Sequence, residues 1–172
     1  MRQMSEIVLS IGMIVKNEIR WLEKCLIALE PLRRAVPSEL VIADTGSTDG
    51  TRELVARYAD QWFDFPWQQD FAAARNAVLS RCSGQWFLFV DADEYLDEQF
   101  DELVRFLLQP SEAEKQADFG VVTVANYADR SMDQETAAFF LALRLARRTP
   151  ETRFVGKIHE RFERAASSGV VN

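Results

Sequence analysis

Gly84-Gln85-Trp86-Phe87-Leu88-Phe89-Val90-Asp91-Ala92-Asp93-Glu94, GQWFLFVDADE, is the stretch on which the reading of the fold turns. Five apolar residues in a row, Trp86 to Val90, read as a strand buried on both faces, the kind found in parallel sheets. They run straight into three carboxylates. In open α/β sheets ligands sit at the carboxyl ends of parallel strands, so charge placed there marks a site.

Working outward, the first half of the chain alternates strand and helix patterns. Ile7 to Val15 is a β-rich apolar run ended by Lys16-Asn17. A helix pattern follows, with Trp21, Leu22, Cys25, Leu26 and Leu29 on one face and a stop expected at Pro31. Glu39 to Ala43 is a second strand that ends at Asp44. The loop Asp44 to Thr51, DTGSTDGT, leads into a helix carrying Leu54, Val55 and Tyr58. Trp62 to Phe65 reads as a short third strand. Asp70 suits the N-cap of a helix with Phe71, Ala74, Val78 and Cys82 on one stripe and Gly84 at its end. Strands alternating with helices predict an α/β fold, a mostly parallel sheet flanked by helices on both faces. Phe119 to Ala125 and Phe139 to Leu145, joined by the polar segment 128–136, predict an antiparallel addition in the C-terminal part. No repeat or linker divides the chain, so residues 1–172 are expected to form a single domain.

Apolar residues make up 48% and charged residues 27%, a globular composition. The net charge of −7 argues against a general nucleic-acid binder, whose affinity rests on basic neutralisation of phosphates. It leaves room for a local basic pocket that holds a diphosphate. No apolar run approaches the roughly 18 residues of a membrane span, and the first residues read as a strand rather than a signal peptide. Cys25 and Cys82 fall at apolar helical positions, which predicts two free buried thiols in a reducing compartment and a cytoplasmic location.

The polar clusters gather at strand ends. Asp91 and Asp93 are two residues apart, so their side chains can point the same way around one divalent cation, Mg²⁺ or Mn²⁺, with oxygen ligands. Held close, two carboxylates repel unless a cation or a proton intervenes. An acidic helix start is the other reading of the same residues. Gly46 and Gly50 permit a tight turn and close approach of a ligand, although an ordinary strand-to-helix turn capped by Thr48 or Asp49 fits too. No phosphate-loop or dinucleotide fingerprint is present. Arg75, in an Ala-rich helix start, is either a surface charge or a partner for phosphate or nucleobase. His159 is the only histidine, with Glu160 beside it, and a structural role and a ligand role are both open.

The segments SIGMIVKNE (10–18), VIADTGSTDGT (41–51), DFAAARNAVLSRCSGQWFLFVDADE (70–94) and FVGKIHE (154–160), in that order, resemble a family 2 glycosyltransferase of the GT-A fold. The match is to the bacterial branch with a late His-Glu pair. The resemblance implies transfer of a sugar from a nucleoside diphosphate donor, usually UDP-linked, with inversion at the anomeric carbon; it leaves the acceptor open. By similarity Asp44 meets uracil, the Lys16–Glu18 segment borders the nucleotide and Arg75 lies against base or diphosphate. Asp91 and Asp93 match the DxD motif, with Asp93 the direct metal ligand, Asp91 nearer the ribose and His159 completing the metal shell. Glu160 is the candidate base, with Glu94 as the alternative. Family members continue past the His-Glu pair, so the chain is expected to be a catalytic fragment truncated on the acceptor side, or a compact enzyme completed by a partner. A non-catalytic nucleotide-sugar binding module and a Mg²⁺-dependent phosphate-handling enzyme are the competing classes.

Overall fold

β1 (Leu9–Val15) is buried along nearly its whole length because it has a parallel neighbour on each side, β2 (Ser38–Asp44) and β4 (Trp86–Phe89). The computed structural model describes residues 6–127 and 137–164. The six-stranded sheet runs β3-β2-β1-β4-β6-β5, with β3 at Gln61–Asp64, β5 at Phe119–Tyr127 and β6 at Ala137–Arg147. β1 to β4 are parallel. β6 joins β4 antiparallel and β5 joins β6 antiparallel, as the sequence predicts. From β1 the chain steps outward through β2 and β3, then returns to the far side of β1 as β4. That reversal of strand order opens a crevice above the carboxyl ends of β1 and β4.

Alternation along the strands feeds two cores. Leu9, Ile11, Met13 and Val15 of β1 face α1 (Leu22–Ala35) and its buried Leu22, Cys25, Leu26, Leu29 and Leu32. α2 (Thr51–Tyr58) adds Leu54 and Val55 to this side, and α4 (Asp101–Leu108) adds Leu107. On the opposite face Val41, Ala43 and Phe87 pack against α3 (Phe71–Leu79) and against the two-stranded unit of β7 (Thr152–Val155) and β8 (Arg161–Arg164). Gly12 lets α3 sit close. A Cβ there would fall 2.3 Å from the Phe87 ring and 2.9 Å from Val78.

The structure corrects several boundaries. α1 runs through Pro31 to Ala35, because Leu32 and Val36 are needed in the core and Arg33 ties the last turn to Asp60 at 2.6 Å. That anchoring outweighs the one backbone bond the proline removes. α3 stops at Leu79, with a turn from Ser80 to Ser83 before Gly84. Gly84 is needed for space, since a Cβ would lie 2.7 Å from the Ser10 amide nitrogen. α2 has Gly50 as N-cap, at φ 95°, while Asp49 accepts from the Thr51 amide instead of capping by itself. α4 and the β7–β8 hairpin have no counterpart in the sequence reading. The polar connection 128–136 lies outside the described residues.

Candidate active site

Two loops form one wall of the crevice by bonding to each other. The Asn17 amide donates to Ser47 Oγ at 2.9 Å and Asn17 Oδ1 accepts from the Thr48 amide at 2.8 Å. The Glu18 amide donates to Thr51 Oγ1 at 2.8 Å and the Ile19 amide to Asp49 Oδ2 at 3.2 Å. The density of Ser, Thr and Asp in DTGSTDGT is therefore spent on fixing this wall. Asp44, the last residue of β2, turns the chain: its Oδ1 accepts from the amides of Gly46 and Ser47, both at 2.9 Å. Its Oδ2 is buried and has no hydrogen-bond partner among the described residues. A buried acceptor left unpaired is costly, which marks it as a place for a donor from outside the chain.

The crevice itself is a cleft of about 490 Å³ lined by Ile14, Val15, Lys16, Glu18, Thr45, Trp67, Phe71, Arg75, Asp91, Ala92 and Asp93. The structure thus brings Lys16, Glu18, Arg75, Asp91 and Asp93 to one wall-to-wall site. Asp44 lies at its margin through its neighbour Thr45. Trp67 and Phe71, which the sequence reading did not mark as ligand-facing, meet edge-on at 4.8 Å between ring centres. Phe71 leaves the core stripe predicted for it and is exposed.

Arg75 is the hub. α3 starts where Asp70 accepts from the Ala73 amide at 2.9 Å, and this fixes Arg75 with only 5% of its surface exposed. Its Nη2 donates to Asp91 Oδ1 at 2.7 Å and its Nε to Glu160 Oε1 at 2.5 Å. Its Cζ lies 4.4 Å from the centre of the Phe89 ring. Nη1 is buried without a partner among the described residues. Beside it, Asn76 holds β7 from both sides, donating to the Phe154 carbonyl at 2.9 Å and accepting from the Phe154 amide at 2.8 Å. The Lys157 carbonyl takes the Phe71 amide at 3.0 Å, so the hairpin tip is pinned to the start of α3.

A second guanidinium, Arg144 of β6, completes the cluster. It donates to Asp91 Oδ2 at 3.2 Å, pairs closely with Glu94, and lies 4.4 Å from the centre of Phe89. Sequence reasoning missed it. Its only signal was a charge set among apolar residues, with Arg147 three positions on at the strand's end. Burial pushes the Asp91 carboxyl up, but Arg75 and Arg144 more than offset this and hold it below the ordinary carboxylate range. Burial raises Glu94 above its ordinary value despite the Asp91 amide and Arg144. Glu18 is raised by burial and then by Asp93, Asp49 and Asp91.

The remaining predicted residues are placed as follows. Asp93 is exposed in the cleft. Both Asp91 oxygens are occupied by arginines, so Asp93 and Glu18 are the cleft's open carboxylates for a hard cation. Among the described residues no three His, Cys, Asp or Glu side chains group as a ready-made metal shell. One or two carboxylates with substrate phosphates and water suit Mg²⁺ or Mn²⁺, so the donor set fits a shared site. His159 is exposed at φ 55° in the β7–β8 turn and does not line the cleft. Glu160 touches the site through Arg75, and Glu94 accepts from the Asp91 amide at 3.0 Å, stiffening its own turn.

A mostly parallel sheet with its strand order reversed beneath a crevice that holds Arg75 and three carboxylates is an α/β architecture whose ligand site lies at the carboxyl ends of the strands. The chain belongs to glycosyl transferase family 2, whose model matches residues 10–163. It is similar to the lipopolysaccharide core biosynthesis glycosyltransferase LpsC of Rhizobium meliloti (strain 1021), 38% identical over 109 residues, covering 60% of this chain and 38% of that protein. It is also similar to the succinoglycan biosynthesis protein ExoA of the same organism, 35% identical over 95 residues, covering 51% of this chain and 29% of ExoA. Among solved structures, S. aureus TarS matches with a TM-score of 0.53 at 23% identity, covering 66% of this chain and 21% of TarS. The TarS 1-349 complex with UDP-GlcNAc matches with a TM-score of 0.50 at 24% identity, covering 58% of this chain and 31% of that one. The chain spans well under half the length of the curated relatives it matches. Among the described residues no helix is long and apolar enough to cross a membrane.

Proposed function

We propose that the cleft binds a UDP-linked sugar and that this domain transfers the sugar to an acceptor nucleophile with inversion, assisted by Mg²⁺ or Mn²⁺. The carrying observation is the meeting of Lys16, Thr45, Arg75, Asp91 and Asp93 in one crevice at the strand reversal, with the unpaired Asp44 Oδ2 at its margin. A uracil N3–H is the right donor for that oxygen. Lys16 and Arg75 Nη1 are the cations available to the diphosphate. TarS has been solved with UDP-GlcNAc bound, which guides the choice of a uridine nucleotide.

Asp93, with Glu18 near it, would hold the cation, and the cation would supply charge stabilisation for the departing diphosphate. The chain's own contribution is to orient the donor between the aromatic edge of Trp67 and Phe71 and the acidic turn. Inversion requires a base on the face opposite the leaving group. Glu160 is the stronger candidate, because Glu94 is committed to its own turn. A diphosphate drawing on Arg75 would loosen that residue's grip on Glu160 and leave its carboxylate open to the acceptor. A second reading, nucleotide-sugar binding without transfer, is favoured by one fact: Glu160 is engaged by Arg75 as the chain stands.

Thermal unfolding with UDP or ATP, each with and without Mn²⁺, tests the donor. Ligand at a hundred times its Kd should add about 2.7 kcal/mol. For a domain of this size that is roughly 5–10 °C. A shift by UDP that Mn²⁺ enlarges and ATP does not reproduce supports the reading; equal shifts with UDP and ATP refute it. Mass spectrometry of a UDP-sugar panel, scoring hydrolysis and transfer, then separates enzyme from binder.

A further inference from the structure

The β5–β6 ribbon sets a residue against the cleft-lining Asp91 that neither the motifs nor the reading above assigns. We infer that Arg144 is a positioning residue for the diphosphate: it acts through Asp91 and Glu94 to keep the acidic end of β4 from repelling a bound anion. This inference rests on the cleft being a nucleotide diphosphate site.

The geometry is specific. Arg144 spans two carboxylates, Asp91 and Glu94, that sit three residues apart in one turn. Its side chain is 15% exposed, so its charge is poorly screened. Phe89 carries both guanidiniums, each 4.4 Å from its ring centre, which fixes Arg75 and Arg144 on either side of the shared Asp91. Asp91, Glu94 and Glu160 would otherwise set three carboxylates against Arg75 alone, with Asp93 and Glu18 exposed to the same cleft. A diphosphate brings more negative charge into that space. Arg144 offsets part of the repulsion and, by sharing Asp91, leaves Arg75 Nη1 free for the ligand. The fork that bonds two carboxylates while stacking on a ring is arginine's geometry, but the charge that offsets the repulsion is one that lysine also carries.

The test measures binding of UDP and of uncharged uridine, without metal, by calorimetry in the parent, R144M and R144K. Methionine keeps the stem over Phe89 and removes the charge; lysine keeps the charge and loses the fork. R144M should weaken UDP about tenfold and leave uridine within about twofold. R144K should stay within about threefold for UDP, which keeps the test alive if R144M folds poorly. In a D91N background, where one of the two carboxylates Arg144 acts through is neutral, R144M should cost UDP about threefold or less. If UDP and uridine weaken together, or if UDP binding is unchanged, Arg144 is only structural and the inference falls. If the parent binds no uridine nucleotide, the nucleotide reading of the cleft fails first and takes this inference with it.

Discussion

Asn76→Ala should unfold the back of the site without touching any residue that faces the cleft. The side-chain amide makes two hydrogen bonds to the peptide groups of Phe154, at 2.9 and 2.8 Å, and serves β7 as the missing neighbouring strand. Phe154 is 2% exposed, so neither group finds water when the amide is removed. Each bond is worth about 1 kcal/mol net, and each buried group left unsatisfied adds a penalty, for a combined loss of about 2–4 kcal/mol. In a domain of this size that corresponds to a fall in Tm of roughly 5–12 °C. Urea unfolding followed by tryptophan fluorescence measures it, with m expected to stay near the parent value. Asn76→Asp should be no milder: it keeps an acceptor for the Phe154 amide but sets a carboxylate against the Phe154 carbonyl. A loss under about 0.5 kcal/mol at unchanged m would show that the hairpin does not depend on this clip, and would refute the assignment of Asn76 to the scaffold.

Asp93→Ala, at an exposed position, should abolish the Mn²⁺-dependent part of UDP binding in calorimetry with Tm nearly unchanged; retained metal dependence removes Asp93 from the cation site. Arg75→Met leaves Glu160 without its cation and Asp91 with Arg144 alone, and should cost about 3–5 kcal/mol in urea unfolding. Because Asp91 is held below its ordinary value, its contribution is present at neutral pH and lost as pH falls through the lowered folded value. The parent should therefore lose this stability on acidification below about pH 4, and Arg75→Met, which leaves only Arg144 on Asp91, should show a smaller loss over that range. Burial pushes the Cys25 and Cys82 thiols up to about 12, so neither should react with a disulfide reagent at pH 8 until the chain is unfolded. Rapid labelling of the native protein would contradict the packing around α1 or α3.

The parallel half of the fold was legible because its strands are buried on both faces and their runs end at charged residues. Trp86 to Phe89 and Leu9 to Val15 needed no tertiary knowledge to be read as strands. Pro31 misled because a local rule gave way to the burial of Leu32 and Val36 beyond it. Phe71 misled in the other direction: it fits a core stripe by spacing, yet the first turn of α3 projects it into the cleft. Lys16, Glu18, Asp91 and Asp93 follow strand ends in the sequence and line one cleft, where Arg75 joins them from α3. The partnerships were not readable, since Arg75 meets Glu160 across 85 positions and Asp91 meets Arg144 across 53. No periodicity encodes contacts of that kind. The alternation in β6 was also only half informative. Leu145 and Ala146 are buried where β4 flanks them, whereas Phe139 and Leu141 lie beyond that partner and are exposed.

Among the described residues β6 is stitched to β4 at Leu145, Ala146 and Arg147, immediately past Arg144. The outer ribbon is thus a graft joined at a narrow base, and the graft's root carries the guanidinium that grips Asp91. Exchanging the sequence between residues 137 and 143 for that of a relative is an alteration of periphery. Shifting the root by a single residue turns Arg144 to the other side of the sheet and strips the acidic turn of its tie. Any chimera built from this domain should place its splice outside Leu143.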